Sequence, residues 1–262
     1  MIFYFTATGN SFFAVEKLRS KNETIVSIAQ SLRNSNYAFD ATHEQSIGFV
    51  FPVYFFGIPN AVVEFIQRLE LKLPQNPYIY LVLTCGGAAG QTGRLFEQAL
   101  ATKEIPLFAQ FAVKMPDTYI PLFTVPSVEQ QQQILKRANA DLLDIQKQIC
   151  RQVKGDYIRC KGPLPSLVTK LIYPLYNKSR NTKKFRVSDA CDGCGLCASI
   201  CPEKAIALQE KHPAWVKDQC SLCLACVHRC PKQALDFGSG TRNKIRYLND
   251  ALSREKQALS GN

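Results

Sequence analysis

The chain has 262 residues, of which 46% are hydrophobic, and its formal net charge is +11 at pH 7. This length corresponds to about two ordinary domains, and the apolar content is too high for a disordered chain. No apolar run approaches the roughly 20 residues of a membrane-spanning helix. The first residues also lack the basic start and the cleavage site of a signal peptide. We therefore expect a cytoplasmic protein without stable membrane insertion.

The positive charge lies outside the two regions with the strongest folding patterns. Residues 1–150 contain 12 basic and 12 acidic residues, whereas residues 151–190 contain ten basic and two acidic ones. Such an excess is typical of a solvated basic linker or of a docking surface for an acidic partner. Nucleic acid is not expected as a partner, because no aromatic residues alternate with the basic ones.

Residues 1–150 alternate short apolar runs with helical patterns. The runs predict five buried strands at residues 2–5, 25–28, 47–51, 78–83 and 107–113. Apolar residues at helical spacing between and after these runs predict helices that cover the strands. The pattern indicates an α/β fold, a doubly wound domain with a five-stranded parallel sheet.

Two basic segments accompany the predicted domains. Residues 151–184 form a connector, in which apolar residues recur at helical spacing from Leu164 to Leu175, with Pro163 and Pro165 at the start of this stretch. We expect this short amphipathic helix to pack one domain on the other, and Pro174 to end or kink it. Residues 238–262 are predicted to be a basic C-terminal tail.

Residues 185–237 contain one cysteine motif twice, and each copy has the spacing C-x2-C-x2-C-x3-C-P. Each copy also reads as a short strand, a cysteine loop, a helical turn and a second strand. This pattern predicts a small duplicated α+β domain that cofactors stabilise in place of a large core. The cysteines are Cys191, Cys194, Cys197 and Cys201 in the first copy, and Cys220, Cys223, Cys226 and Cys230 in the second.

The cysteine spacing favours two [4Fe–4S] clusters. Three thiolates at three-residue intervals can surround three corners of an iron–sulfur cubane. Zinc is the alternative, since two C-x2-C pairs also form four-thiolate zinc sites. A third cysteine at the same interval has no place in such a site. The other three cysteines, Cys85, Cys150 and Cys160, are expected to be small buried hydrophobic residues.

Three loops of the first domain follow predicted strands at their carboxyl ends, where doubly wound sheets bind ligands. The phosphate loop (residues 6–11) combines hydroxyl groups with the N–H groups of a helix start, which suits a phosphate, although an N-capped turn is the alternative. The aromatic loop (52–57) presents three rings that could cover a flat ligand, or could extend the core. The glycine loop (84–90) lets the backbone approach a ring edge. The predicted binding residues are Thr6, Ala7, Thr8, Gly9, Asn10, Ser11, Pro52, Val53, Tyr54, Phe55, Phe56, Gly57, Thr84, Cys85, Gly86, Gly87 and Gly90.

The three loops resemble those of a flavodoxin, and the cysteine repeat is similar to a bacterial two-cluster ferredoxin. Together they resemble the bacterial flavodoxin–ferredoxin fusion proteins over nearly the whole chain. This resemblance implies that the phosphate loop binds the phosphate of FMN. The other two loops would flank the isoalloxazine ring, with the peptide near Gly57 or Gly86 at its reactive edge. The glycine loop departs from the flavodoxin pattern because it lacks an aromatic residue, and Tyr119 is a candidate to replace it.

The resemblance to bacterial ferredoxins also implies crossed ligation, in which the fourth cysteine of each copy binds the cluster of the other copy. One cluster would then be held by Cys191, Cys194, Cys197 and Cys230. The other would be held by Cys220, Cys223, Cys226 and Cys201.

Two clusters and FMN in one chain favour an electron carrier that exchanges electrons with redox partner proteins, which would dock near the basic connector if they are acidic. The alternative is an enzyme, a flavin-dependent reductase in which the clusters feed FMN to reduce a small molecule. No catalytic residues are predicted, since His43, His212 and His228 fit better as surface or hydrogen-bonded histidines. A third interpretation is a basic adaptor with purely structural clusters.

Overall fold

The computed structural model describes residues 1–260. The first part of the chain contains β1 (Ile2–Tyr4), α1 (Asn10–Leu18), β2 (Ile25–Ser27), α2 (Ile28–Asn34), β3 (Ala38–Asp40), β4 (Ile47–Pro52), α3 (Asn60–Arg68), β5 (Glu70–Lys72), β6 (Ile79–Cys85), α4 (Thr92–Ala101), β7 (Ala109–Lys114), α5 (Val128–Cys150) and β8 (Gly155–Asp156). The second part contains α6 (Pro165–Ser179), a 3-10 turn (Thr182–Lys184), β9 (Phe185–Val187), α7 (Leu196–Ser199), β10 (Ile206–Gln209), β11 (His212–Trp215), α8 (Ala225–His228), β12 (Leu235–Phe237) and α9 (Ala251–Ser260).

A parallel sheet of order β2-β1-β4-β6-β7-β8 lies at the centre of the first part. Its first five strands are the five that the sequence predicts, and their order is the one found in flavodoxin-like doubly wound sheets. The edge strand β8 was not predicted, because two residues are too few to show an apolar pattern. A second, two-stranded parallel sheet pairs β3 with β5.

Both faces of the central sheet are buried. Phe3 stacks on Phe49 at 5.2 Å on one face, which α2, α3 and α4 cover. Tyr4 contacts Phe12 at 5.2 Å on the other face, which α1 and α5 cover. Burial on both sides explains why the strands read as continuous apolar runs and not as an alternating pattern.

The long helix α5 begins with a capping box between Ser127 and Gln130, and it buries the predicted apolar face against the sheet. Cys150, the last residue of α5, is exposed. The expectation of burial is therefore wrong for this cysteine, because the preceding residue, Ile149, occupies the buried side of the last turn. Within the described residues, no helix has both the length and the apolar character needed to cross a bilayer.

The cysteine repeat forms two antiparallel strand pairs, β9 with β12 and β10 with β11. Each copy has the predicted order of strand, cysteine loop, helical turn and strand, with α7 and α8 as the two helical turns. The rings of Phe185 and Trp215 stack at 4.6 Å in its small core. The chain therefore joins an α/β domain to a small α+β ferredoxin-like region.

Helix α6 contacts both parts of the chain, although through a different face from the one expected. The buried Tyr176 hydroxyl donates to the Ser221 carbonyl oxygen at 2.6 Å and accepts from the Asn60 N–H group at 3.1 Å. The side chains of Leu167 and Leu171, which belong to the predicted apolar stripe, are 50% and 60% exposed. The helix also continues past Pro174 to Ser179, because tyrosine hydrogen bonds fix it on both sides of the proline.

Candidate cofactor site between the sheet and the cysteine repeat

The three predicted loops converge because β1, β4 and β6 are neighbours in the sheet and all end at the same edge. Strand order reverses next to β1, and ligands of doubly wound sheets bind at this position. A cleft of about 330 Å³ lies between the loops, within the size range of small-molecule sites. Its predicted lining residues are Thr6, Ala7, Thr8, Asn10, Ser11, Pro52, Val53, Tyr54, Phe55, Phe56, Thr84, Cys85, Gly86 and Gly87.

The phosphate loop is preformed by its own hydrogen bonds. The Thr6 hydroxyl accepts from the Gly9 N–H group at 3.0 Å, and the Ser11 hydroxyl pairs with the Thr84 hydroxyl at 2.8 Å. The Gly9 carbonyl oxygen accepts from the Phe13 N–H group, so the preceding N–H groups of the first turn of α1 point out of the helix end. Hydroxyl groups and N–H donors at a helix start fit a phosphate without requiring a cation.

Gly9 supports the phosphate loop from behind and does not line the cleft. Its φ of 97° lies in the left-handed region, and a Cβ atom there would come within 3.0 Å of Asn249. A glycine is therefore required both by the turn and by the close approach of the C-terminal segment.

Arg229 of the cysteine repeat holds the outer side of the phosphate loop. Its guanidinium donates to the carbonyl oxygens of Ala7 at 2.6 Å and Thr6 at 3.3 Å, and it lies 3.7 Å from the Glu255 carboxylate. Burial lowers the pKa of Arg229, and the Glu255 carboxylate opposes this effect. Sequence reasoning missed this residue, because one arginine within a neutral segment gives no signal.

The predicted basic tail folds back on the phosphate loop. The Asn249 N–H group donates to the Thr8 carbonyl oxygen at 2.8 Å, and the Tyr247 hydroxyl donates to the Asn10 side-chain oxygen at 2.8 Å. Ala251, at the start of α9, is fully buried against the α1 side of the sheet. The tail therefore belongs to the first domain's packing, which its basic composition did not indicate.

The aromatic loop contains a strained turn. Tyr54 and Gly57 exchange two backbone hydrogen bonds, and the two residues between them have positive φ values, 51° for Phe55 and 60° for Phe56. Bulky residues rarely adopt this conformation, and such strain is concentrated at functional sites. The turn directs the Phe55 ring toward Tyr119, at 5.3 Å, and both residues line the cleft.

Two predicted glycines lie behind the loops and do not line the cleft. A Cβ atom at Gly57 would overlap the Tyr173 ring, and one at Gly90 would lie 2.6 Å from the Thr169 hydroxyl. These glycines let α6 pack closely on the aromatic and glycine loops. Of the two peptides that the flavodoxin resemblance places at the ring edge, only the one at Gly86 borders the cleft.

The loop after β7 forms a fourth wall of the cleft. Tyr119, the candidate that the sequence offered for the missing aromatic residue, lies in this wall. The other cleft residues that sequence reasoning did not select are Ala88, Met115, Pro116, Asp117, Thr118, Leu122, Phe123, Ile172, Leu222, Cys223 and Leu224. Ala88 lies within the glycine loop, and Cys223 was predicted only as a metal ligand. The others come from distant parts of the chain, so no local pattern identifies them.

His228 joins this fourth wall to the cysteine repeat. Its Nδ1 atom accepts from the Tyr247 N–H group at 3.1 Å, so its Nε2–H group donates to the Thr118 carbonyl oxygen at 3.0 Å. Burial lowers the pKa of His228 to about 4, which keeps the ring neutral at pH 7. His228 is thus a buried histidine with both nitrogen atoms hydrogen-bonded.

The cysteines of the repeat surround two separate cavities. Each cavity is lined by three cysteines of one copy and the fourth cysteine of the other. We name them the inner set, which is largely buried, and the outer set, in which Cys194 is exposed. The inner set is Cys201, Cys220, Cys223 and Cys226, and the outer set is Cys191, Cys194, Cys197 and Cys230.

The donor chemistry of both sets suits iron–sulfur clusters. Within the described residues, no three metal-ligating side chains converge on the position of a single ion. A cubane does not require such convergence, because each cysteine binds a different iron atom. Burial raises the pKa of the Cys223 thiol to about 12, and it also raises that of Cys226. A bound cation would favour their thiolate forms.

The inner set also borders the cleft. Cys223 lines both the inner cavity and the cleft, together with its neighbour Leu224. Cys223 therefore belongs to the walls of both sites. The sequence placed Cys223 among the metal ligands but gave no indication that it faces the three loops.

Comparison with known proteins identifies the cysteine repeat. Residues 178–235 match the family model of the 4Fe-4S dicluster domain. No curated protein matches the chain. The Trp repressor binding protein from Bacillus subtilis is structurally similar, with a TM-score of 0.33 and 13% identity over 53% of this chain and 96% of that one. Azoreductase AzrA has a TM-score of 0.32 and 10% identity over 56% of this chain and 99% of its own. The C-terminal region is therefore a 4Fe-4S dicluster domain, as the cysteine spacing predicted.

Proposed function

We propose that this chain is an electron-transfer protein that relays electrons between two [4Fe–4S] clusters and a bound FMN, and exchanges them with redox partner proteins. The observation that carries the proposal is the position of Cys223, which borders both the inner cysteine set and the cleft. A cluster held there would be separated from a ligand in the cleft by one side chain. We also propose that the chain belongs with the bacterial flavodoxin–ferredoxin fusion proteins.

The residues of the cleft fit the parts of FMN. The phosphate loop offers N–H and hydroxyl donors for the phosphate, and Arg229 adds a positive charge behind it. Phe55 and Tyr119 offer aromatic faces, while Gly86 and Gly87 leave backbone accessible in the cleft wall. Bound flavin would supply a two-electron centre, whereas each cluster carries about one electron.

The two cysteine sets support the crossed ligation that the ferredoxin resemblance implies. The outer set includes the exposed Cys194 and lies next to solvent. The inner set is largely buried and borders the cleft. We infer an order in which the inner cluster lies between the outer cluster and the flavin. Buried side chains around the inner set would exclude water from the space between the inner cluster and the flavin. They would also keep solvent ions from screening the charges there.

An acidic redox protein is the partner that the surface fits best. Helix α6 exposes Leu167 and Leu171 beside Lys170, within a connector rich in basic residues. Apolar contacts surrounded by positive charge are suited to transient docking of an acidic protein. Electron exchange with such a partner should slow steeply as salt rises, and a rate independent of ionic strength would reject this docking surface.

A flavin-dependent reductase is the second candidate, because the fourth wall leaves an apolar mouth open to solvent. Leu122 and Phe123 line the cleft and are 70% and 53% exposed, and Asp117 also lines the cleft. A small organic acceptor could reach the cleft at this mouth. Steady turnover of such an acceptor, faster than the exchange of electrons with any protein partner, would favour the enzyme.

The test begins with anaerobically purified protein, in which about eight irons and one FMN per chain are expected. Gly87→Leu then examines the cleft, because Gly87 lines it and a Cβ atom at this position would meet no atom within 4 Å. This variant should fold and keep its iron but lose FMN, whereas Gly87→Ala should retain most of it. Unchanged FMN content in Gly87→Leu, or zinc in place of iron, would contradict the proposal.

A further inference from the structure

Two cysteines outside the repeat lie in contact with each other. Cys85 ends β6 and is buried, Cys160 lies in the connector and is half-buried, and their sulfur atoms are 3.6 Å apart. A disulfide bond would require the two sulfurs to approach by roughly 1.5 Å. The sequence predicted both residues as small buried hydrophobic side chains, and Cys85 also as a binding residue of the glycine loop. The repeat does not use either of them.

Backbone hydrogen bonds hold the two cysteine segments together. The Ala89 N–H group donates to the Cys160 carbonyl oxygen at 2.8 Å, and the Gly90 N–H group donates to the Lys161 carbonyl oxygen at 3.2 Å. These bonds fix the connector against the glycine loop although 75 residues separate the two cysteines. The proximity of the sulfurs is therefore a property of the folded backbone.

The two thiols differ in reactivity. With Cys85 as the donor, its S–H group stabilises the Cys160 thiolate and lowers the pKa of Cys160 to about 7, and Lys114 acts in the same direction. The same hydrogen bond, together with burial, raises the pKa of Cys85. Cys160 is also the more exposed of the two sulfurs. It is therefore the thiol suited to attack an external disulfide.

We propose that Cys85 and Cys160 form a reversible disulfide when a low-molecular-weight disulfide oxidises them. The Cys160 thiolate attacks one sulfur of the small disulfide, which forms a mixed disulfide and releases one small thiolate. The Cys85 thiol then gives up its proton and attacks the Cys160 sulfur, which forms the internal disulfide and releases the second small thiolate. From the Cys160 thiolate and the Cys85 thiol, the protein thus loses two electrons and one proton. The small disulfide gains the two electrons and leaves as two thiolates, one of which can take up the proton.

The position of this pair gives it a consequence for the cleft. Cys85 lines the cleft wall between Thr84 and Gly86, so oxidation would attach the glycine loop covalently to the connector. The wall of the cleft would then contain a cysteine pair that takes up or releases two electrons as it changes between dithiol and disulfide. This inference rests on the two sulfurs alone and holds whether or not the cleft binds FMN.

The test uses the full chain with its iron, under anaerobic conditions, in buffers of varied glutathione to glutathione disulfide ratio. Samples are quenched in acid, free thiols are blocked with N-ethylmaleimide, and digested peptides are analysed by mass spectrometry. We expect a linked peptide pair containing Cys85 and Cys160, whose fraction rises at least about tenfold from the reducing to the oxidising buffer. Absence of this pair in the most oxidising buffer, with iron content unchanged, would overturn the proposal.

Single variants test the order of the two steps. Cys85→Ser should trap glutathione on Cys160, whereas Cys160→Ser should leave Cys85 unmodified. Cys150→Ser removes an exposed cysteine that has no place in the reaction and should leave the Cys85–Cys160 link unchanged. If Cys85 in Cys160→Ser took up as much glutathione as Cys160 does in Cys85→Ser, Cys160 would not be the preferred attacking thiol, and the mechanism would be overturned. If the Cys85–Cys160 link formed only in denatured protein, the proposal that the folded chain brings these two thiols together to react would be overturned.

Discussion

Arg229→Met tests the connection between the cysteine repeat and the phosphate loop. The Arg229 guanidinium is buried, donates to the carbonyl oxygens of Ala7 and Thr6, and lies 3.7 Å from the Glu255 carboxylate, of which only 9% is exposed. Methionine keeps the length of the side chain but removes the charge and both donors. The substitution therefore removes the Arg229 charge from the buried carboxylate, which keeps its interactions with Tyr4 and Arg33.

The expected loss follows from this burial. Breaking a buried ion pair by removing one partner costs about 3–5 kcal/mol, which corresponds to a Tm decrease of roughly 6–20 °C in a chain of this size. A looser phosphate loop should also weaken FMN binding about tenfold, or about 1.4 kcal/mol, since one charge-assisted hydrogen bond is worth that much.

Thermal unfolding followed by circular dichroism, and FMN titration, measure the two effects. Arg254→Met is a matched control, because Arg254 pairs with Glu16 at 2.6 Å on the same α9–α1 surface but is 49% exposed. It should lower the free energy of unfolding by about 0–1 kcal/mol and leave FMN binding unchanged. Adding Glu255→Gln to Arg229→Met should recover about 2 kcal/mol, because the buried negative charge is then removed.

Equal Tm values for Arg229→Met and Arg254→Met would refute the reasoning, since burial would then make no difference to the pair. Failure of Glu255→Gln to restore any stability would show that the loss does not come from the carboxylate. Unchanged FMN affinity in Arg229→Met would show that the guanidinium does not support FMN binding by the phosphate loop.

Three further predictions concern the clusters, the strained turn and the thiol pair. Cys230→Ala should remove the cluster of the outer set and about half of the iron, while the electron paramagnetic resonance signal of the inner cluster remains. Phe56→Gly should be more stable than Phe56→Leu although it is less apolar, because a positive φ costs a leucine about 1–2 kcal/mol and a glycine almost nothing. Alkylation of Cys160 should be half-maximal near pH 7 and fall below it as the thiolate is protonated, and Cys85→Ala should move the midpoint upward.

Each of these predictions has a contradicting result. Loss of the inner cluster in Cys230→Ala, with the outer one retained, would reject crossed ligation. A higher unfolding free energy for Phe56→Leu than for Phe56→Gly, measured by urea titration, would show that the turn is not strained. An alkylation midpoint that is the same in Cys85→Ala as in the wild-type chain would show that Cys85 does not stabilise the thiolate.

Local sequence patterns were enough to predict most strands of the central sheet and the type of the C-terminal domain. The spacing of apolar residues predicted five of the six strands of the central sheet, since burial on both faces leaves continuous apolar runs. The C-x2-C-x2-C-x3-C-P spacing predicted the 4Fe-4S dicluster domain, because three of the four ligands to each cluster lie close together in sequence. The sequence could place the phosphate and glycine loops at strand ends because strand ends are local features as well.

The tertiary structure decided how these parts meet. Cys223 faces the cleft, Arg229 holds the phosphate loop, and the C-terminal segment packs on α1, and none of these contacts is encoded in neighbouring residues. Helix α6 shows the limit most clearly, because its amphipathic spacing predicted packing by leucines that the fold leaves exposed, while Tyr176 makes the buried contact. Periodicity reports that a helix has an apolar face. Which face is buried depends on the shape and hydrogen-bonding groups of the surface it meets, and these exist only once the chain has folded.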